Sequence, residues 1–151
     1  VVDFAAVTSP LTIQKPLHKT HLASYREILI GGTKYKELAS QIRSLNDLSG
    51  IPVIGLADGT GTRELYHRYF LSHGLMFAPD MEAATTDQIL PMITHNLGIG
   101  FYPEELAAEA IARGSAYAIR LVEPIPEREI CLVTNSSTQM SAAVRKVISF
   151  L

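Results

Sequence analysis

Pro52-Val53-Ile54-Gly55-Leu56, followed by Asp58-Gly59-Thr60-Gly61-Thr62-Arg63 and then by Glu64-Leu65-Tyr66-His67-Arg68-Tyr69-Phe70, decides the fold. The first segment is a brief apolar run bounded by a turn-rich loop, which is the pattern of a buried strand. From Thr62 to His73 the spacing predicts a helix: Leu65, Tyr66, Tyr69 and Phe70 share one face, and Glu64, His67 and Arg68 share the other. Gly74 supplies the stop, because glycine accepts the backbone conformation that closes a helix. A strand passing through a glycine-rich loop into an amphipathic helix is the unit from which α/β proteins are built.

The same alternation extends to both sides. Toward the C-terminus, residues 81–84 read as a strand, and Thr85-Thr86-Asp87 supplies caps for a helix to about Asn96. Pro91 falls inside that helix, so it is expected to kink or start late. Residues 97–102 return as a strand, Pro103 opens an amphipathic helix to Arg113, and Gly114 ends it. Residues 116–122 and 129–133 read as strands, and Ser141 begins a last helix. Toward the N-terminus, Ser44-Leu45-Asn46-Asp47-Leu48 has the Ser-x-x-Asp form of a capped helix start. Before it come a long extended segment, residues 17–30, closed by Gly31-Gly32, and an opening strand, residues 2–7. The expected fold is α/β with a largely parallel sheet, and the two prolines of Glu123-Pro124-Ile125-Pro126 mark the one candidate hinge.

The chain's 151 residues, 47% hydrophobic and 19% charged, suit one domain with a substantial core and leave no tract that reads as disordered. Formal charge is -2 with Lys and Arg scattered singly, so no basic stripe marks a nucleic-acid surface. A single cysteine cannot form an internal disulfide, which favours a reducing, cytoplasmic compartment. Cys131 lies in Ile130-Cys131-Leu132-Val133 and reads as a core thiol. No apolar stretch reaches the ~18 residues of a membrane span, and no signal peptide opens the chain. Val1-Val2-Asp3 leads straight into a strand without an initiator Met, so the N-terminus reads as a truncation.

Two helix starts carry the functional interest, because the first N–H groups of a helix lack internal partners and attract anions. At the first, the glycines of residues 58–63 permit close approach, Thr60 and Thr62 offer hydroxyls, and Arg63 can hold a carboxylate through two bonds. The same residues suit a plain capped start with Arg63 in solvent. At the second, Thr85 and Thr86 are candidates, although Thr-Thr-Asp is also simply a good cap, and Asp87 discourages an anion unless it points away. The five histidines lack metal-ligand spacing, and no Walker loop, nucleophile elbow or Cys/His pairing is found. Neighbouring Glu104 and Glu105 diverge by about 100 degrees on a helix and suit its first turn. An enzyme, a metal and a cofactor are therefore not expected.

The order of elements from Val2 to Leu151 resembles the effector-binding domain of LysR-type transcription regulators. The resemblance rests on Val2-Asp3-Phe4-Ala5-Ala6-Val7, Ser44-Leu45-Asn46-Asp47-Leu48, Asn96-Leu97-Gly98-Ile99-Gly100-Phe101-Tyr102-Pro103, Ile125-Pro126-Glu127-Arg128-Glu129-Ile130-Cys131-Leu132-Val133, and a Ser-Ala-Ala-Val helix from Ser141. It implies the two-lobed fold of type II periplasmic binding proteins, with crossovers near Val7-Thr8-Ser9 and residues 123–126. Residues 8–124 would be one nearly complete lobe, and residues 1–7 and 125–151 part of the other. It further implies that a small effector, an anion among the candidates, binds between lobes and acts allosterically. Thr60, Thr62, Arg63, Thr85, Thr86, Thr8 and Ser9 would serve as contacts. The implied partners are other copies of the chain, as dimer or tetramer, and DNA only through an N-terminal domain that the chain lacks; no membrane is involved. Incomplete pairing of residues 2–7 and 129–133 would expose strand edges and favour aggregation. The alternatives are a transporter's solute-binding protein of the same fold and an enzyme holding phosphate on residues 59–63.

Overall fold

A computed structural model describes residues 4–8 and 17–135, with side chains placed over residues 20–132. The chain divides into two compact units, Val1–Tyr25 with Arg128–Leu151, and Arg26–Glu127. The helix expected from Ser141 lies outside the described residues.

The smaller unit holds three antiparallel strands, β1 (Phe4–Thr8), β2 (Leu17–Tyr25) and β8 (Arg128–Asn135), in the order β1-β8-β2. The long extended segment read from sequence is thus two strands: β2 ends at Tyr25, and β3 (Glu27–Gly31) belongs to the other unit. β8 is the central strand, with Cys131 paired to Val7 on one side and His21 on the other. That corrects the expectation of an open edge at residues 129–133, where Cys131 and Leu132 are fully buried. Cys131 is the core thiol read from sequence.

The larger unit is a three-layer sandwich. Its strands are β3, β4 (Val53–Leu56), β5 (Met81–Ala83), β6 (Ile99–Pro103) and β7 (Tyr117–Ile119), in the order β5-β4-β6-β3-β7. β4 is parallel to β5 and β6, whereas β3 is antiparallel to both β6 and β7. The sheet is therefore mixed: four strands share one direction, and β3, which enters from outside the alternating βα pattern, opposes them. The helices are α1 (Gly61–Ser72), α2 (Ile89–Thr94) and α3 (Glu104–Ala112). Strand alternation sends Leu29, Ile99, Phe101 and Ile119 to one face, against Tyr66, Tyr69 and Phe70 of α1. Ile30, Ile54 and Tyr102 go to the other, against Ile89 and Ile93 of α2 and Ala107 of α3. The Tyr66 and Phe101 rings stack at 4.3 Å between centroids, which locks α1 across the sheet.

Local sequence explains the remaining details. Ser44 and Asp47 form a reciprocal capping box, but the element it opens is the 3-10 helix Leu45–Leu48. The Glu123 carboxylate accepts from Leu45 N at 2.9 Å, and the Tyr69 hydroxyl donates to the Glu123 carbonyl at 2.9 Å, so the start of the proline-rich connection is tied down twice. Burial, reinforced by Glu123, pushes the Tyr69 phenol well above its usual range. Gly98 is required by contact: a Cβ there would lie 2.6 Å from the Pro52 carbonyl oxygen.

Candidate functional site

β4, β5 and β6 all end at the same edge of the larger unit's sheet. Leu56 pairs with Ala83, so residues 57–63 and 84–87 leave the sheet side by side. The connection from β4 to β5 runs through α1 on one face. The next returns through α2 on the other face and places β6 on the opposite side of β4. The chain thus reverses direction across β4 and β6, and in open α/β sheets that reversal opens a crevice at the strands' C-terminal ends where ligands bind.

Thr60 is the N-cap of α1: its hydroxyl oxygen accepts from Arg63 N at 3.1 Å while its O–H donates to the Ala57 carbonyl at 2.9 Å. Thr62 is half-buried in the first turn. The Gly61 amide has no acceptor among the described residues, and it sits at the positive end of a three-turn helix. Arg63 is neither in solvent nor wholly free. Its Nη1 donates to the Leu56 carbonyl at 2.9 Å and lies 3.5 Å from Glu82, and the guanidinium sits 5.7 Å over the Phe77 ring. Its Nη2 has no partner among the described residues. Ile54, Thr62, Arg63, Tyr66 and Ile89 surround a hollow of about 10 Å³, room for about one water.

The second start differs from its sequence reading. Thr85 is an N-cap without a side-chain bond, and Thr86 opens only the 3-10 turn Thr86–Gln88. Gln88 reaches back past the cap and accepts from Ala84 N at 2.9 Å. α2 begins late, at Ile89, which places Pro91 in its first turn, where a missing N–H costs nothing. Thr85, Thr86 and Asp87 are all exposed. Tyr102 closes the edge at the end of β6; burial first and the Asp87 charge second raise its phenol above the usual value. Thr60, Thr62, Arg63, Thr85 and Thr86 therefore share one edge of one unit. Thr8 ends β1 in the smaller unit, and Ser9 lies outside the described residues. Sequence reading missed Tyr102, Gln88 and Glu82. The apolar strand ending just before Pro103 was the available signal for Tyr102; strand register, invisible in sequence, brings in the other two.

Among the described residues, no group of three His, Cys, Asp or Glu side chains could hold a metal, and no helix is long and apolar enough to cross a membrane.

The larger unit is an α/β lobe with its polar donors gathered at the strand ends of a reversal point, the architecture of a ligand-binding lobe. The family model for the LysR substrate binding domain matches residues 1–151. The chain belongs to that family. The uncharacterized HTH-type transcriptional regulator YeiE of Escherichia coli K12 is 24% identical over 142 residues, covering 91% of this chain and 48% of YeiE. The chain thus spans about half the length of the curated relatives it matches. Among solved structures, the effector binding domain of QuiR in complex with shikimate matches with a TM-score of 0.81 and 16% identity, covering 98% of this chain and 69% of that one. The Synechocystis PCC6803 CcmR regulatory domain in complex with 2-PG matches with a TM-score of 0.81 and 17% identity, covering 98% and 71%. The CrgA regulatory domain from Neisseria meningitidis matches at 0.74 and 17%, covering 99% and 73%. The fold is that of type II periplasmic binding proteins, as the motifs implied.

Proposed function

We propose that this chain is the effector-sensing part of a LysR-type, DNA-binding transcription regulator, and that the strand-end edge of the larger unit holds a small effector. One observation carries the reading: the Leu56–Ala83 register and the reversal at β4 set residues 57–63 beside residues 84–87, with an unpartnered Gly61 amide and the Thr62 hydroxyl at the edge. Two solved relatives of the same fold hold shikimate and 2-PG, which supports a small polar molecule, anions included, as the class. Thr60, Thr62, Arg63, Thr85 and Thr86 would contact it. The effector acts by binding one arrangement of the parent protein more tightly than another, and so shifts the balance between them. In this account the protein is a cytoplasmic homo-oligomer without catalysis, and DNA is gripped by another part of the parent. The relatives being regulators favours this over a transporter's solute-binding protein.

A thermal-shift panel of small metabolites, with shikimate and 2-PG included, tests the reading on the full-length protein, since a ligand that binds the folded state raises its melting temperature. A stabilising ligand whose effect disappears in Gly61→Trp, while the unliganded melting temperature holds, is the expected result. Stabilisation indifferent to Gly61→Trp and to Thr86→Trp refutes the site.

A further inference from the structure

The larger unit carries a second cavity at the opposite ends of its strands. It measures about 400 Å³, within the range of small-molecule pockets. Leu45, Leu48, Phe70, Leu75 and Phe77 give it apolar walls, and Asp80 is the one charged residue that lines it. That carboxylate is held in place: Asp80 N donates to the Val53 carbonyl at 2.8 Å and Val53 N donates back to Oδ2 at 2.9 Å. Oδ1 has no partner among the described residues. The last turn of α1 also borders the cavity through the Phe70 ring. A single exposed carboxylate thus supplies the only formal charge at a half-open chamber, which Asn46 and Ser49 also line and no lysine, arginine or histidine does.

We propose that this cavity binds a small organic cation, a primary amine on a compact apolar body, with the body among the leucines and phenylalanines and the ammonium on Asp80 Oδ1. The site is separate from the strand-end edge and stands or falls independently of it. The probes are cyclohexylmethylamine, the neutral cyclohexylmethanol and the anionic cyclohexanecarboxylate, which share one ring and differ in charge. Titrated into the 15N-labelled chain, the amine is expected to move the amide signals of Val53, Leu75 and Asp80 saturably. The alcohol binds roughly threefold more weakly, the size of an exposed charge contact, and the carboxylate leaves those signals still. Asp80→Asn, which keeps an oxygen for Val53 N, brings the amine down to the alcohol's affinity. Ala78→Arg, at an exposed rim position, suppresses amine binding further. Equal response to amine and carboxylate, amine binding unchanged in both variants, or no movement at these three amides overturns the proposal.

Discussion

Tyr66→Phe removes a single hydroxyl from the centre of the larger unit and leaves its packing in place. The ring stays stacked on Phe101 at 4.3 Å, so no cavity forms. What is lost is the hydroxyl's bond to Glu27 Oε1, an acceptor on a residue only 6% exposed. A hydrogen bond to a charged acceptor contributes about 1.5–3 kcal/mol. Glu27 has further interactions that remain, so the lower part of that range applies, about 1.5–2 kcal/mol. With a urea m-value of about 2 kcal/mol/M, the midpoint of unfolding should fall by roughly 0.75–1 M. Circular dichroism in urea reads this directly. A cycle with Glu27→Gln isolates the pair, and a coupling of about 1 kcal/mol or more is expected because the two groups touch. A loss below about 0.5 kcal/mol, the size of an ordinary surface change, would refute the claim that this bond pins α1 to β3.

Other consequences follow from the same geometry. Gly98→Ala drives a methyl to 2.6 Å from the Pro52 carbonyl oxygen and should cost about 1–3 kcal/mol, read as a lowered urea midpoint. Thr60→Ala deletes the cap on Arg63 N and should cost about 1 kcal/mol, with Thr60→Ser restoring most of it. Both Tyr69 and Tyr102 have folded-state phenol values above the unfolded one, so the folded chain holds protons that the unfolded chain releases above about pH 10. The stability they contribute is fully present below that pH and is lost as pH rises toward the folded values. Urea midpoints from pH 9 to 11 should therefore fall, and fall less steeply in Tyr69→Phe; an identical slope would contradict the assignment.

Much of the architecture was written in local pattern. The 62–73 periodicity gave α1 to within a residue, and Pro91 announced the late start of α2 because ring geometry leaves it few positions. Sheet pairing was less legible. Residues 17–30 are continuous in extended character, and only tertiary contacts assign 17–25 to one unit and Glu27–Gly31 to the other as a reversed strand. The strand 129–133 is apolar, as a central strand should be, yet sequence could not show that it has neighbours on both sides. At the candidate site, the glycines and threonines of residues 58–63 revealed the helix start, whereas the fate of Arg63 depended on Glu82 and Phe77, which only the β4–β5 register and packing bring near it. Thr85 looked like a side-chain cap and makes no such bond; the local side-chain bond is instead Gln88 reaching back to accept from Ala84 N, ahead of the cap.

The most direct test of the central claim is an amide chemical-shift map of the protein bound to the best stabilising effector from the metabolite panel. The account predicts that the largest movements fall on residues 57–63 and 84–87, with Tyr102 beside them. Movements confined to residues remote from the C-terminal ends of β4, β5 and β6, with the Gly61 and Thr86 signals unmoved at saturation, would contradict it.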